Sequence, residues 1–146
     1  MDPLNITTLK QHLPYLMNRE AIRINKEWAG EPGALFSQSA ETTPMYCFQP
    51  DRKGNPSCTY STTQVWKKDQ LGGQVAVLLV NNGNSSNDVT ANLTALGFGC
   101  SASKPCVAHD VWSGKNSSVG AASYTAKGLI SHDSALVRFF PASSLQ

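Results

Sequence analysis

Residues 65–82 read VWKKDQLGGQVAVLLVNN, and this stretch decides the fold class. Strand-forming residues lead into it, Gly72 and Gly73 interrupt it, and residues 74–80 form a nearly continuous apolar run. Because glycine reaches positive φ without a Cβ clash, two adjacent glycines between such runs predict a β-hairpin. An apolar run of this length is typical of a central strand that is buried on both faces, with successive side chains alternating between the two faces of the sheet. The stretch therefore predicts the central hairpin of a β-sandwich.

Short strands separated by turn-forming residues are predicted along most of the remaining chain. The predicted strands cover residues 35–38, 45–49, 58–66, 74–81, 88–92, 107–110, 121–125, 128–131 and 135–140. This spacing predicts an all-β domain, an antiparallel β-sandwich of about eight strands with Greek-key connections. We assign residues 34–146 to this domain.

The N-terminal part has helical periodicity instead, over residues 7–26. Apolar residues recur along it at three- and four-residue spacing, namely Leu9, Leu13, Leu16, Met17, Ile22 and Ile24. Thr7 or Thr8 is predicted to cap the start of a first helix. Asn18 is predicted to start a second, short helix. A sandwich needs no helix to close its core, so this apolar face is expected to stay uncovered and to promote self-association. We assign residues 1–33 to a separate helical segment.

Length and charge exclude several classes of protein. A chain of 146 residues suits one domain but not a (β/α)₈ barrel, which needs about 250 residues. The net charge of +2 comes from scattered basic residues, which argues against nucleic-acid binding. No apolar run approaches about 18 residues, so no membrane span is expected. The start MDPLN has neither the charged nor the apolar region of a signal peptide, and none is expected in this chain.

The four cysteines fall into two local pairs, and each pair brackets turn-forming residues. Of the three possible connectivities we favour Cys47 with Cys58 and Cys100 with Cys106. Loop-closure entropy would make each disulfide worth about 2–3 kcal/mol. Free thiols are one alternative. Zinc is another, although neither pair has CxxC spacing and the histidines lie in unrelated segments. We expect neither a metal nor a cofactor.

Acceptor sequences for N-glycosylation occur at four positions, Asn5, Asn84, Asn92 and Asn116. Together with paired cysteines, they predict folding in an oxidising, glycosylating compartment.

Four segments of the chain resemble one family in the same order and spacing. They are residues 18–25 (NREAIRIN), the hairpin 65–81, residues 110–115 (DVWSGK) and residues 132–141 (HDSALVRFFP). They are similar to the end of α-galactosidases of the glycoside hydrolase family 27 (melibiase) type, where an NKEVIAVNQD segment leads from the catalytic barrel into a C-terminal sandwich. Residues 26–29 and 35–64 depart from the family pattern.

This resemblance implies a role without catalysis. Family members hydrolyse terminal α-galactosyl residues with two aspartates, and both lie on central barrel strands upstream of anything in this chain. The resemblance therefore implies no catalytic residue here and a (β/α)₈ catalytic barrel as partner. It also implies a secreted, lysosomal or vacuolar parent enzyme.

A free-standing carbohydrate-binding module is the main alternative. Exposed aromatic rings stack on sugars, and Trp66 and Trp112 lie within the family-like segments. In such positions tryptophans more often pack into the core or a turn.

A glycosidase that works alone is a third hypothesis, with Asp110 and Asp133 as its carboxylates. Both aspartates lie at strand ends or turns, where capping by side-chain hydrogen bonds is the ordinary role. His109 and His132 are expected to be surface or turn residues.

Overall fold

The computed structural model describes residues 6–45 and 58–141. Helices α1 (Ile6–Leu16) and α2 (Arg19–Lys26) come first. The strands follow in the order β1 Ala34–Gln38, β2 Thr42–Met45, β3 Cys58–Ser61, β4 Thr63–Gln70, β5 Gln74–Asn81, β6 Asn87–Asn92, β7 Cys106–Asp110, β8 Lys115–Val119, β9 Ser123–Leu129 and β10 Ser134–Pro141. The predicted all-β antiparallel sandwich is confirmed.

The main sheet has six strands in the order β1-β4-β5-β10-β7-β8, and every neighbouring pair is antiparallel. Strand β10 returns from the far end of the chain to lie between β5 and β7, which is a Greek-key type of crossover. Strands β6 and β9 pair with each other and cover one face of the main sheet, called here the inner face. Strands β2 and β3 form a separate hairpin.

The glycine hairpin is formed where the sequence predicts it. A short 3₁₀ turn, Leu71–Gly73, joins β4 to β5, and Gly72 and Gly73 have φ values of 74° and 71°. A residue with a Cβ would be strained at either position. The turn thereby sets the register in which Trp66 lies opposite Leu78 across the two strands.

Strand β5 is central, and its side chains alternate between two environments. Val77 and Leu79 have no solvent-exposed surface and lie in the core under β6 and β9. Ala76 and Leu78 point to the opposite, outer face of the sheet, where Ala76 packs under α2. The sequence predicted this alternation, and it separates the two faces that the rest of the structure uses differently.

The inner face closes around aromatic side chains from distant strands. Phe139 of β10 is fully buried, and the ring of Tyr124 from β9 meets it edge-on with centroids 5.2 Å apart. Burial raises the pKa of the Tyr124 phenol above its usual value of 10.0, and nearby Asp110 raises it further.

A fully buried amide fastens the end of β5. The side chain of Asn81 donates to the carbonyls of Ser85, Leu129 and Ile130 at 2.8–2.9 Å, and its oxygen accepts from the Gly83 amide and the Asn87 side chain. These contacts tie the β5–β6 turn to the end of β9. A Cβ on Gly83 would lie 2.9 Å from the Asn81 oxygen, so only glycine fits there.

Several predicted elements differ from the observed ones. Strand β8 is absent from the prediction because KNSSV is polar and mostly exposed at the sheet edge. Strand β9 is continuous where two short strands were predicted, since Ala126 faces the core between them. The predicted strand 45–49 lies almost entirely outside the described residues.

The helix starts were predicted with mixed success. Helix α1 already begins at Ile6, so the capping role predicted for Thr7 or Thr8 is wrong. Asn18 does cap α2, because its side-chain oxygen accepts from the amides of Glu20 and Ala21. Neither helix in the described part of the chain has the length and apolar character that crossing a membrane requires.

Candidate functional site

The outer face of the main sheet carries α2, and the contacts between them define the candidate site. Ile24 of α2 is 5% exposed and packs with Ala76 of β5 and with Val111. The Asn18 side chain, while capping the helix, also donates to the Val111 carbonyl at 2.9 Å. Burial of one isoleucine and this bond fix the start of α2 on the sheet.

A charged cluster joins the same helix to two further strands. The Glu20 carboxylate lies 2.8 Å from Nε2 of His109 on β7 and 3.2 Å from Nη1 of Arg138 on β10. Arg23, one turn along the helix, lies 3.7 Å from the same carboxylate. The Arg138 side chain is only 13% exposed. Because a guanidinium this buried needs a counter-ion, Glu20 holds α2 in place electrostatically.

His109 completes the cluster through its other ring nitrogen. Nδ1 lies 2.6 Å from the side-chain oxygen of Asn116 on β8, so both ring nitrogens face oxygen atoms. In the sequence, His109 lies 89 positions from Glu20 and Arg138 lies 118 positions from it. Sequence reasoning missed this cluster, because it treated His109 as an isolated surface or turn residue.

The C-terminal end of α2 is tied to β4 and the glycine turn. The Lys68 ammonium and the Gln70 side chain donate to the carbonyls of Glu27 and Ile24. The Glu27 carboxylate in turn accepts from the Leu71 amide. The expectation that the whole helical segment stays uncovered is therefore wrong for α2, since this helix packs on the chain's own sheet.

Helix α1 differs, because its described apolar side chains face solvent. Leu13 is 38% exposed and Leu16 is 58% exposed, and Met17, directly after the helix, is 65% exposed. Tyr15 makes one aromatic contact, edge-on to Trp112 at 5.7 Å. The side chain of Leu9 lies outside the described residues. The exposed surface predicted for the helical segment thus belongs to α1.

The two tryptophans proposed for sugar stacking occupy different environments. Trp66 is 38% exposed and borders an apolar cavity of about 220 Å³ on the outer face, together with Leu78 and Leu136. Trp112 is half-buried against Tyr15. They are not brought together in one site.

The aspartates are turn residues. Asp110 accepts from the Ser113 amide at 2.7 Å, and Asp133 accepts from the Ser134 amide at 2.7 Å. His132 is exposed and has a φ of 60° in the turn before β10. Within residues 6–45 and 58–141, no group of three or more histidine, cysteine or acidic residues is placed to hold a metal ion.

The sequence model of the family described as "Alpha galactosidase C-terminal beta sandwich domain" matches residues 60–139. The chain belongs to this family. The matched region runs from β3 to β10 and so contains both the glycine hairpin and the sheet that carries α2. No curated protein matches the chain at a significant level.

Solved structures show a similar fold over different shares of the chain. α-Galactosidase I from Mortierella vinacea superposes with a TM-score of 0.63 over 87% of this chain and 28% of its own, at 17% identity. The α-galactosidase from Saccharomyces cerevisiae bound to raffinose superposes with a TM-score of 0.58 over 88% of this chain and 37% of its own, at 16% identity. A GH27 β-L-arabinopyranosidase from Geobacillus stearothermophilus superposes with a TM-score of 0.51 over 58% of this chain and 18% of its own, at 24% identity. At these identities the likeness concerns the fold, and the chain spans well under half of each protein.

A disulfide crosslinks the sandwich. Cys100 and Cys106 are bonded, and both are buried at the edge of the inner core. The second expected disulfide, Cys47 with Cys58, stays a prediction, because Cys47 lies outside the described residues.

Three of the four glycosylation acceptors can be placed on this sandwich. Asn84, Asn92 and Asn116 are all exposed. Asn92 also accepts from the Ala95 amide at the end of β6, and Asn116 contacts His109. Asn5 lies outside the described residues.

Proposed function

We propose that this chain is the supporting C-terminal domain of an α-galactosidase-type glycosidase and packs against a (β/α)₈ catalytic barrel. The observation that carries the proposal is the contrast between the two helices. Helix α2 is fixed to the sandwich, whereas Leu13 and Leu16 of α1, and Met17 directly after it, are exposed to solvent. A contiguous apolar helix face beside a folded domain is typical of a surface that another domain covers.

The parent reaction follows from the family and from what the sandwich lacks. Hydrolysis of terminal α-galactosyl residues by a retaining mechanism requires two carboxyl groups about 5–5.5 Å apart on a rigid scaffold. In the described residues, Asp110 and Asp133 each cap a turn. Catalysis therefore belongs to the barrel, and the isolated chain is inactive.

We assign residues 1–33 to the end of the barrel and residues 34–146 to the sandwich. The gap between α2, which ends at Lys26, and β1, which starts at Ala34, supports this boundary. The Cys100–Cys106 disulfide and the exposed acceptors Asn84, Asn92 and Asn116 support a secreted, lysosomal or vacuolar enzyme that is glycosylated.

The test combines the chain with a separately produced α-galactosidase barrel that lacks its own sandwich. The chain is expected to bind the barrel and to raise its soluble yield, and Leu13→Asp/Leu16→Asp is expected to abolish both effects. Ile130→Asp is the matched control, because Ile130 is apolar and 66% exposed but lies in the turn between β9 and β10, next to Asn81 at the end of β5. Equal binding by the wild type and the Leu13→Asp/Leu16→Asp variant would contradict the proposal.

Self-association of the chain alone tests the same surface. With no barrel present, α1 is expected to cause self-association, so that the sedimentation coefficient of the chain rises with its concentration. The Leu13→Asp/Leu16→Asp variant is expected to sediment as a monomer at all concentrations. A wild-type chain that remains monomeric up to millimolar concentration would show that α1 does not mediate self-association.

A second candidate function is carbohydrate binding, and the exposure of Trp66 beside an open cavity favours it. Addition of galactose or melibiose would then quench tryptophan fluorescence, and Trp66→Ala would remove the quench while Trp28→Ala would retain it. The lining of that cavity by Leu78, Leu136 and Ile24 fits an apolar side chain better than a sugar, and this supports the barrel proposal.

A further inference from the structure

An open cavity of about 410 Å³ lies between α2 and strands β7, β8 and β10. Its lining includes Arg19 and Arg23 from α2, Arg138 and Phe140 from β10, and His109 from β7. Glu20 is the one carboxylate among its lining residues. The cavity shares residues with the cluster that holds α2, but its opening faces solvent.

The charges that line the cavity do not balance. Three guanidinium groups face one carboxylate, which leaves a net charge of +2 when His109 is neutral. The Glu20 carboxylate is already engaged by Arg138 and His109, and Arg23 lies at a longer 3.7 Å. Arg19 takes part in none of the ion pairs formed within the described residues. Part of the positive charge is thus left for another anion.

Arg138 adds a second observation. Its buried Nε has no hydrogen-bond partner among the described residues, although Nη1 binds Glu20. A buried donor without a partner is costly, and a polar ligand that draws the guanidinium toward the cavity would relieve this cost. Guanidinium groups recognise carboxylate, sulfate and phosphate oxygens through paired N–H donors.

The size of the cavity narrows the ligand class. A volume of about 410 Å³ is larger than a bare inorganic anion requires and lies within the range of small-molecule sites. Phe140 offers a half-buried apolar wall, while the Glu20 carboxylate can accept hydrogen bonds from hydroxyl groups. We propose that this cavity binds a carboxylate-bearing ligand of monosaccharide size, such as a uronic acid, with Arg19 and Arg23 holding the carboxylate. This inference does not depend on the barrel proposal.

The test is a titration of the unglycosylated chain with galacturonate, followed by amide chemical shifts. Saturable binding is expected with a Kd of about 1 mM, given an open site and a small ligand. Shifts are expected in α2, β7 and β10, and sodium chloride should weaken binding. Galactose, which differs by lacking the carboxylate, is expected to give no saturable shifts.

Variants locate the site without endangering the fold. Arg19→Gln is expected to weaken galacturonate binding about tenfold, because one charged hydrogen bond is lost. Arg19 is exposed and outside the Glu20 cluster, so the variant should unfold like the wild type. Lys127→Gln removes an equal, exposed charge from β9 and should leave binding unchanged.

Three results would overturn the inference. They are the absence of saturable galacturonate binding, equal weakening by Arg19→Gln and Lys127→Gln, and sulfate binding as tight as that of galacturonate. The last result would mean that the cavity holds any small anion and does not select a sugar-sized ligand.

Discussion

The two faces of the main sheet are stabilised by different kinds of contact. The inner face buries Val77, Leu79 and Phe139 completely against β6 and β9, with contacts that are almost entirely apolar. The outer face carries α2 through one buried isoleucine and a charged cluster around Glu20, and open cavities lie beside this cluster and beside Trp66. Stability is therefore concentrated on the inner face, while the outer face retains the surface and charge that contact with other molecules requires.

The largest expected effect separates the two faces on a single strand. Leu79→Ala should lower the free energy of unfolding by about 3 kcal/mol or more, since it leaves a cavity in a closed core. Leu78→Ala removes the same atoms from the neighbouring position on the outer face and should cost about 1 kcal/mol. Urea unfolding monitored by circular dichroism measures both. Equal costs would show that the two faces are equally well packed.

The buried amide at the end of β5 should rank next. Asn81→Ala is expected to cost about 2–3 kcal/mol, because it removes three donated hydrogen bonds at a fully buried position and takes the acceptor from the Gly83 amide. Asn82→Ala is the control, since the Asn82 side chain donates one hydrogen bond, to the Ser61 carbonyl. A loss from Asn81→Ala no larger than that from Asn82→Ala would mean that the two turns are held by other contacts.

The charged cluster tests the outer face directly. Glu20→Gln should cost about 1–2 kcal/mol and speed amide exchange in α2, because Arg138 loses its counter-ion in a partly buried position. The exposed Glu31 is the control position, and Glu31→Gln should leave both quantities unchanged. Unchanged exchange in α2 after Glu20→Gln would show that Ile24 and the hydrogen bonds at the two ends of α2 hold the helix without the charged cluster.

The smallest expected effect is the alkaline titration of Tyr124 on the inner face. Burial and Asp110 raise the pKa of this phenol above 10.0, so the folded chain binds the proton more tightly than the unfolded chain. The resulting stabilisation is complete below pH 10 and is lost as the pH rises through the folded pKa.

Urea unfolding of the wild type and of Tyr124→Phe between pH 9 and about pH 11.5 isolates this contribution. The wild type should lose stability more steeply over that range, and Tyr60→Phe controls for removal of an exposed phenol. Parallel slopes for the wild type and Tyr124→Phe would show that the ring ionises as freely when folded as when unfolded.

Local signals predicted the inner face well. The paired glycines and the alternation along β5 depend only on backbone freedom and on burial, and both effects act within a few residues. The same holds for Asn18, whose capping role was predicted from its position before an apolar periodic segment. Strand β8 was not predicted, because an exposed edge strand requires no apolar pattern.

The outer face could not be predicted in the same way. Glu20, His109 and Arg138 are unremarkable in their local sequence, and nothing in a sequence states that positions so far apart share one cluster. The prediction that Ile24 faces an uncovered surface failed for this reason, since the surface that buries it comes from β5 and the turn after β7.

The sequence by itself determined the sandwich, the family and the apolar character of both helices, because periodicity and turn chemistry are written in neighbouring residues. Only the tertiary structure decided which helix is covered, since that depends on where β10 enters the sheet. Its insertion between β5 and β7 places Arg138 beside His109 and under α2, and so creates both the attachment of the helix and the positively charged cavity beside it.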